Sequence, residues 1–208
     1  MEKFELLIRP SLFHNVKRVT ITKEFIEYSE KKGTNSTPIK LLKEEIEGIR
    51  YGVKWIRGLE FYIGRIYCID IKKKDNSVFK IRLKSVYKIR AKILREKYIQ
   101  LLNTLFQSFF YELVIYYLNQ FRNNESFQLC GLTFMKEGIL LDNKTGLIKW
   151  NDIETKSFQT YYAIFSKTDS KKYRAFEYLN EWNTCVLYSV SDQILADKKN
   201  LTENKMEL

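Results

Sequence analysis

Apolar, β-branched and aromatic residues open the chain in short runs separated by polar breaks, at residues 4–9 (FELLIR), 16–22 (VKRVTIT) and 25–30 (FIEYSE). Runs of this length and composition predict β-strands. Gly33 to Pro38 reads as a loop, and strand-like runs resume at 39–51, 59–72 and 77–84. The last two are joined by the polar turn KKDN, so 59–84 predicts a β-hairpin. From about Lys88 the period changes from two to nearly four, with Tyr98, Leu101, Leu102, Leu105, Phe106, Phe109 and Phe110 on one side and Gln100, Asn103, Thr104, Gln107 and Ser108 on the other. That pattern predicts a long helix. Beyond Glu112 the formerly polar side is taken by Val114, Ile115 and Leu118, which predicts a buried connector that is apolar almost all round. Residues 98–121 carry one charge, Glu112, but their Gln, Asn, Thr and Ser residues interrupt the run too often for a membrane span. After Arg122 strand patterns return at 127–135, 138–142, 146–150, 153–158, 160–167 and 172–179, followed by an amphipathic helix over 183–196 with Asn183 as its N-cap.

The order of parts, several strands and then one helix, occurs twice. Val19-Thr-Ile-Thr-Lys-Glu-Phe-Ile26 aligns with Leu132-Thr-Phe-Met-Lys-Glu-Gly-Ile139; after a loop six residues shorter, Glu45-Ile-Glu47 aligns with Asp152-Ile-Glu154, and Tyr67 falls opposite Tyr162. Such an alignment points to duplication of one unit.

The segments VTITKEFIEYSE and KEEIEGI in the first half, with LTFMKEGILLD, LIKWNDIE and YYAIFSK in the second, resemble the pleckstrin-homology-like fold, including the bacterial PH and GRAM-type domains. The resemblance implies an α+β chain of two PH-like antiparallel β units, 1–122 and 123–208, each closed by a C-terminal helix, the first helix long and central. It also implies anionic lipid head groups as one class of ligand.

Charge changes the picture because it is uneven. The formal net charge is +11, yet residues 1–99 hold 24 Lys and Arg against 12 Asp and Glu, whereas residues 100–208 hold 12 against 13. Within the first half, 72–97 contain Lys72, Lys73, Lys74, Lys80, Arg82, Lys84, Lys88, Arg90, Lys92, Arg95 and Lys97 against Asp75 and Glu96. A basic field of this kind attracts acidic proteins, anionic membrane and nucleic acid alike. Nucleic acid is disfavoured because the aromatic residues follow core periodicities and do not interleave with Lys and Arg.

Catalytic signatures are missing. No phosphate-cradling glycine motif, zinc spacing or nucleophile motif occurs, and the one histidine, His14, has no Ser or Cys beside it to activate. Cys68, Cys130 and Cys185 are widely spaced among apolar neighbours and read as buried thiols; the pair Glu44 and Glu45 reads as solvated. No enzyme, metal or cofactor is therefore expected. The N-terminus lacks a signal-peptide pattern, so a cytoplasmic location, peripheral to the inner membrane if lipid is bound, is the expectation.

One stretch stands out locally. Residues 51–65 hold Gly52, Gly58 and Gly64 beside Trp55, Arg57 and Arg65, and Trp and Arg are favoured anchors at interfaces. The candidate binding residues are thus Trp55, Arg57, Arg65, Lys72, Lys73, Lys74, Lys88 and Lys92. The expected activity is docking of an acidic protein, as an adaptor or a toxin-neutralising immunity protein would do; the alternative is peripheral binding to anionic lipid. The 98–121 helix offers a surface for a homo-oligomer.

Overall fold

The computed structural model describes residues 3–11, 15–30, 37–142 and 146–206. Among the described residues the fold is α+β, with four antiparallel sheets. The chain divides into two compact units, Met1–Tyr111 and Glu112–Leu208. That division lies inside a helical segment of 32 residues, whereas the sequence reading places it at the segment's end, after Arg122.

The first unit begins with a meander, β1 (Phe4–Ile8), β2 (Lys17–Ile21), β3 (Phe25–Glu30) and β4 (Ile39–Leu42). A 3₁₀ turn, Lys43–Glu45, leads into a second meander of β5 (Ile46–Arg57), β6 (Tyr62–Lys73) and β7 (Val78–Val86), and then into helix α1 (Ala91–Leu105). The run 39–51, which reads as one strand, is broken here because the Glu45 carboxylate accepts the Leu42 N–H at 2.7 Å and turns the chain. Period-two burial puts Ile49, Tyr67, Ile69, Ile71, Ile81 and Leu83 into the core with Val19, Ile21, Ile26 and Leu41 from the first meander. Helix α1 adds Leu94, Tyr98, Leu101 and Leu105, with the Tyr98 and Tyr67 rings 5.0 Å apart. Burial of each such side chain contributes about 1.5–3 kcal/mol.

After α1 the helix passes through a π turn, Phe106–Phe110, into α2 (Tyr111–Arg122). A π turn adds one residue and shifts later side chains by about 100° around the axis. The buried stripe accordingly runs 94, 98, 101, 105 and 109, then jumps to 110, 114 and 118. That phase jump is why apolar residues cross to the polar side of the sequence pattern. The expected all-round burial does not follow: Tyr111, Ile115 and Tyr116 are exposed.

The second unit repeats the plan with β8 (Phe127–Leu129), β9 (Leu132–Phe134), β10 (Gly138–Leu140) and β11 (Leu147–Lys149), a 3₁₀ turn at Trp150–Asp152, then β12 (Ile153–Ser157), β13 (Tyr161–Ser166) and β14 (Tyr173–Glu177), and helix α3 (Thr184–Met206). The run 127–135 is two strands, because Cys130 and Gly131 take left-handed φ of 51° and 71° and make a tight hairpin turn. Helix α3 runs ten residues past the expected end at 196, through a tail rich in the helix formers Leu, Glu and Lys. Its core holds Phe127 stacked on Phe134 at 4.8 Å, with Trp150, whose indole N–H donates to the Met135 carbonyl at 3.0 Å.

The two units share hydrogen bonds at the positions the internal alignment pairs. Thr22 N–H donates to Phe25 O in the first unit, and Met135 N–H to Gly138 O in the second. Lys43 N–H donates to Glu24 O, and Trp150 N–H to Glu137 O; Lys74 N–H donates to Glu45 O, and Lys167 N–H to Asp152 O. Strand registers agree as well: Ile26 faces Ile21 and Leu41, as Ile139 faces Phe134 and Ile148. Counting back from the Lys74 and Lys167 bonds, however, Tyr162 matches Ile69 and not Tyr67, a two-residue correction that leaves the inward face unchanged.

Candidate functional site

Strands β5, β6 and β7 make a sheet whose two faces differ in chemistry. The inward face is the apolar one already described. On the outward face the register forms three rows, Arg50–Asp70–Lys80, Gly52–Cys68–Arg82 and Lys54–Ile66–Lys84. Five cations therefore share one face with a single carboxylate, that of Asp70.

Asp70 is 3% exposed. Arg50 Nε donates to it at 3.1 Å and Arg82 forms a second ion pair with it, while Arg82 also donates to the carbonyls of Ile69 and Ile81. A buried carboxylate needs such partners, since burying a charge alone costs several kcal/mol. The two arginines and one aspartate leave a net positive charge at the centre of the face, and Lys54, Lys80 and Lys84 surround it, all exposed. A cavity of about 400 Å³ opens here, lined by Pro10, Ser11, Lys54, Ile66, Cys68, Arg82 and Lys84. The cations of β7 stand at every second residue, 80, 82 and 84; period two is the signal that picks them out of the basic run, and the candidate set drawn from sequence did not include them.

The same sheet carries a projecting hairpin. Strand β7 pairs with β6 only as far as Gly64, so residues 57–63 extend beyond it as two strands closed by Gly58 N–H donating to Phe61 O at 2.7 Å. Gly64 is fixed by that last rung, because a Cβ there would stand 2.3 Å from the Ser85 carbonyl oxygen. At the hairpin end Leu59 is 96% exposed, Phe61 and Tyr62 are each 66% exposed and Trp55 is 52% exposed. Trp55 lies 5.6 Å from the Tyr62 ring and under the Arg65 guanidinium at 4.9 Å, and Arg57 pairs across to Tyr62. Trp55, Arg57 and Arg65 are thus brought together.

Lys88 and Lys92 lie at the same end of the sheet, because Tyr87 N–H donates to Ile63 O at 2.7 Å and the chain then turns into α1. Tyr87, Lys88 and Arg90 all take left-handed φ, of 49°, 59° and 57°, in a turn whose Tyr87 is 69% exposed. Such conformations cost of order 1 kcal/mol each in non-glycine residues.

Lys72, Lys73 and Lys74 stand at the other end, eight residues of β6 or about 26 Å from Arg65. Lys72 pairs with Glu47 at 2.7 Å, and Lys73 with Glu45 at 3.2 Å and Asp75 at 3.4 Å. The Glu45 carboxyl is held below its ordinary range by the Leu42 N–H and by Lys73. The eight candidate residues therefore form two groups, Trp55, Arg57, Arg65, Lys88 and Lys92 at one end and Lys72–Lys74 at the other.

Burial raises all three thiols, Cys68 above its ordinary value and Cys130 and Cys185 to about 12, so none is an activated nucleophile. Among the described residues no three His, Cys, Asp or Glu side chains cluster as a metal site. His14 and most of the 33–38 loop lie outside the described residues. No helix among them is long and apolar enough to cross a membrane. Comparisons with family models, with curated proteins and with solved structures find no match.

Proposed function

We propose that this chain is a non-enzymatic docking module of two PH-like units that binds an acidic protein through the outward face of β5–β7. The observation that carries the reading is the row pattern around Asp70, in which Lys54, Lys80 and Lys84 flank a fixed Arg50–Asp70–Arg82 centre. The strand register presents these charges at every second residue, and the Asp70 pairs hold two arginines in place, which reduces the entropy lost when a carboxylate surface docks. The PH-like reading of each unit is supported by the order of four strands, three strands and a helix, and by the hydrogen bonds that recur between units. The non-enzymatic part rests on the raised thiols and on carboxylates engaged in ion pairs or turn caps.

The test is affinity capture from the source cells with wild type and with Lys80→Ser/Lys84→Ser. An acidic protein recovered by wild type and lost by the variant, with binding that weakens as salt rises, is the expected result. Equal recovery by both chains, or capture abolished by nuclease, overturns it.

A further inference from the structure

The projecting hairpin end is a second surface with a different chemistry, and it is convex. Going inward from the turn, Leu59 and Phe61 come first, then the Arg57–Tyr62 rung, and two residues further the Trp55–Arg65 rung, about 7 Å along the strands. Exposed aliphatic and phenyl groups thus sit outermost, with amphipathic Tyr and Trp rings interleaved with guanidinium groups behind them. Lys54 follows on β5, and Lys88 and Lys92 stand beside the hairpin base. The only acid in the turn is Glu60.

We propose that this hairpin end inserts into an anionic lipid bilayer. Leu59 and Phe61 enter the acyl boundary, Tyr62 and Trp55 lie at the head-group level, and Arg57, Arg65, Lys54, Lys88 and Lys92 meet the lipid phosphates. The order of chemistries down the hairpin matches the order of layers in the bilayer, where Trp and Tyr favour the interface and each cation near an anionic surface adds attraction. Interfacial elements reach about 5–10 Å below the head groups, and two residues of strand, about 7 Å, separate Leu59 from the Arg57–Tyr62 rung. A fluid acyl layer accepts a convex apolar tip without a matching pocket, whereas a protein partner must supply one; the surrounding positive charge fits the lipid surface. Glu60 opposes the anionic head groups and keeps the insertion shallow. The proposal shares only Lys54 with the acidic-protein reading and stands or falls separately.

The test uses the full chain with vesicles of phosphatidylcholine containing phosphatidylserine, and of phosphatidylcholine alone. Wild type is expected to sediment with the first at low salt, with a blue shift of tryptophan emission that Trp55→Phe removes, since of the other two tryptophans Trp150 is buried and Trp182 is half-buried in the second unit. Leu59→Ser/Phe61→Ser should weaken partitioning by about 100-fold while circular dichroism stays native. Glu60→Gln should strengthen it by about fivefold. Lys80→Ser/Lys84→Ser should keep the blue shift even where it loses the acidic partner. No sedimentation of wild type with the anionic vesicles overturns the proposal, as does a tip variant that sediments like wild type. Loss of a protein partner by the tip variant, without vesicle binding by wild type, assigns the tip to that protein and also overturns it.

Discussion

The two units share a strand order and matched hydrogen bonds, yet among the described residues only the first gathers a cluster of cations on the outward face of its three-stranded sheet. At the places that correspond to Arg50–Asp70–Lys80 in the first unit, the second has Lys156–Ala163–Ala175. The next row there is Glu154–Phe165–Tyr173. The hairpins diverge too: β5 and β6 have 12 residues each, whereas β12 and β13 have five and six. In the second unit the turn aromatics Phe158 and Tyr161 stack on each other at 4.5 Å. What is common to both units is the inward face and the turns that shape it. What differs is the outward face of the three-stranded sheet and the length of its first hairpin, which are the surfaces that the two proposals use.

The largest effect is expected where the charged face meets the scaffold. Asp70 is buried and has two arginines, while Ala163 at the matching place needs none. Arg50→Ala/Arg82→Ala should therefore lower stability by about 3–5 kcal/mol, because it leaves a buried carboxylate unpaired. Adding Asp70→Ala to that pair should recover most of the loss and make the first unit resemble the second. Urea unfolding of the three chains decides it. A double variant within about 0.5 kcal/mol of wild type would mean that Asp70 is hydrated and that the two faces differ only in surface charge.

A smaller effect probes the scaffold itself. Gly138 and Phe25 occupy the same place in the two units, facing Lys149 and Leu42. A Cβ on Gly138 would stand 2.0 Å from the Ile148 carbonyl oxygen, so β10 and β11 approach closely there. Gly138→Ala should cost about 1–3 kcal/mol, the range for forced overpacking. Phe25→Ala in the first unit should leave the backbone of β3 and β4 unchanged. Equal tolerance at both positions in thermal unfolding would show that the second unit's tighter approach carries no strain penalty.

Most of the scaffold was legible in the sequence, because period-two and period-four patterns report which face of a strand or helix is buried. The aligned segments around Lys23-Glu24 and Lys136-Glu137 even placed the matching turns. Legibility failed where backbone geometry is set by something other than hydrophobic period. The Cys130–Gly131 turn carries no common turn residue at its first position. The 3₁₀ turn at Lys43–Glu45 depends on one carboxylate reaching back to Leu42. The π turn at Phe106–Phe110 changes the helix phase without any sequence signal of its own. The basic run from Lys72 to Lys97 was visible as charge, but a run along the chain is not a patch in space. Strand β6 carries Lys72 and Lys73 to the far end of the sheet, where Glu45, Glu47 and Asp75 pair with them, while β7 lays Lys80, Arg82 and Lys84 on one face. The exposed tip was legible only as glycines flanking Trp and Arg, because exposure depends on where β7 stops pairing.

The smallest effect tests the turn that the units share most closely. Glu45 and Asp152 end the two 3₁₀ turns, and each backbone carbonyl accepts the matching lysine N–H, of Lys74 or Lys167. Both carboxyls titrate below their ordinary values, by different means. Glu45 is held down by the Leu42 N–H and then by Lys73. Asp152 is held down first by the Ser166 hydroxyl and then by the hydroxyl and N–H of Thr168. A carboxyl whose folded pKa is depressed is ionised in the folded chain over a window where the unfolded chain has already bound a proton. Stability from such a group is complete above the unfolded value, 4.5 for Glu45 and 3.8 for Asp152, and drains away as pH falls through the lower folded value. Urea midpoints measured from pH 6 to pH 3 should therefore fall with pH, and Glu45→Gln/Asp152→Asn should make that fall shallower without removing it, since Glu5 and Asp75 are also depressed. Glu45→Gln alone should act through the first unit and Asp152→Asn through the second, each read by hydrogen exchange of its own turn. An unchanged slope in the double variant would show that the two turns are held by their backbone bonds alone, with the carboxylates as bystanders.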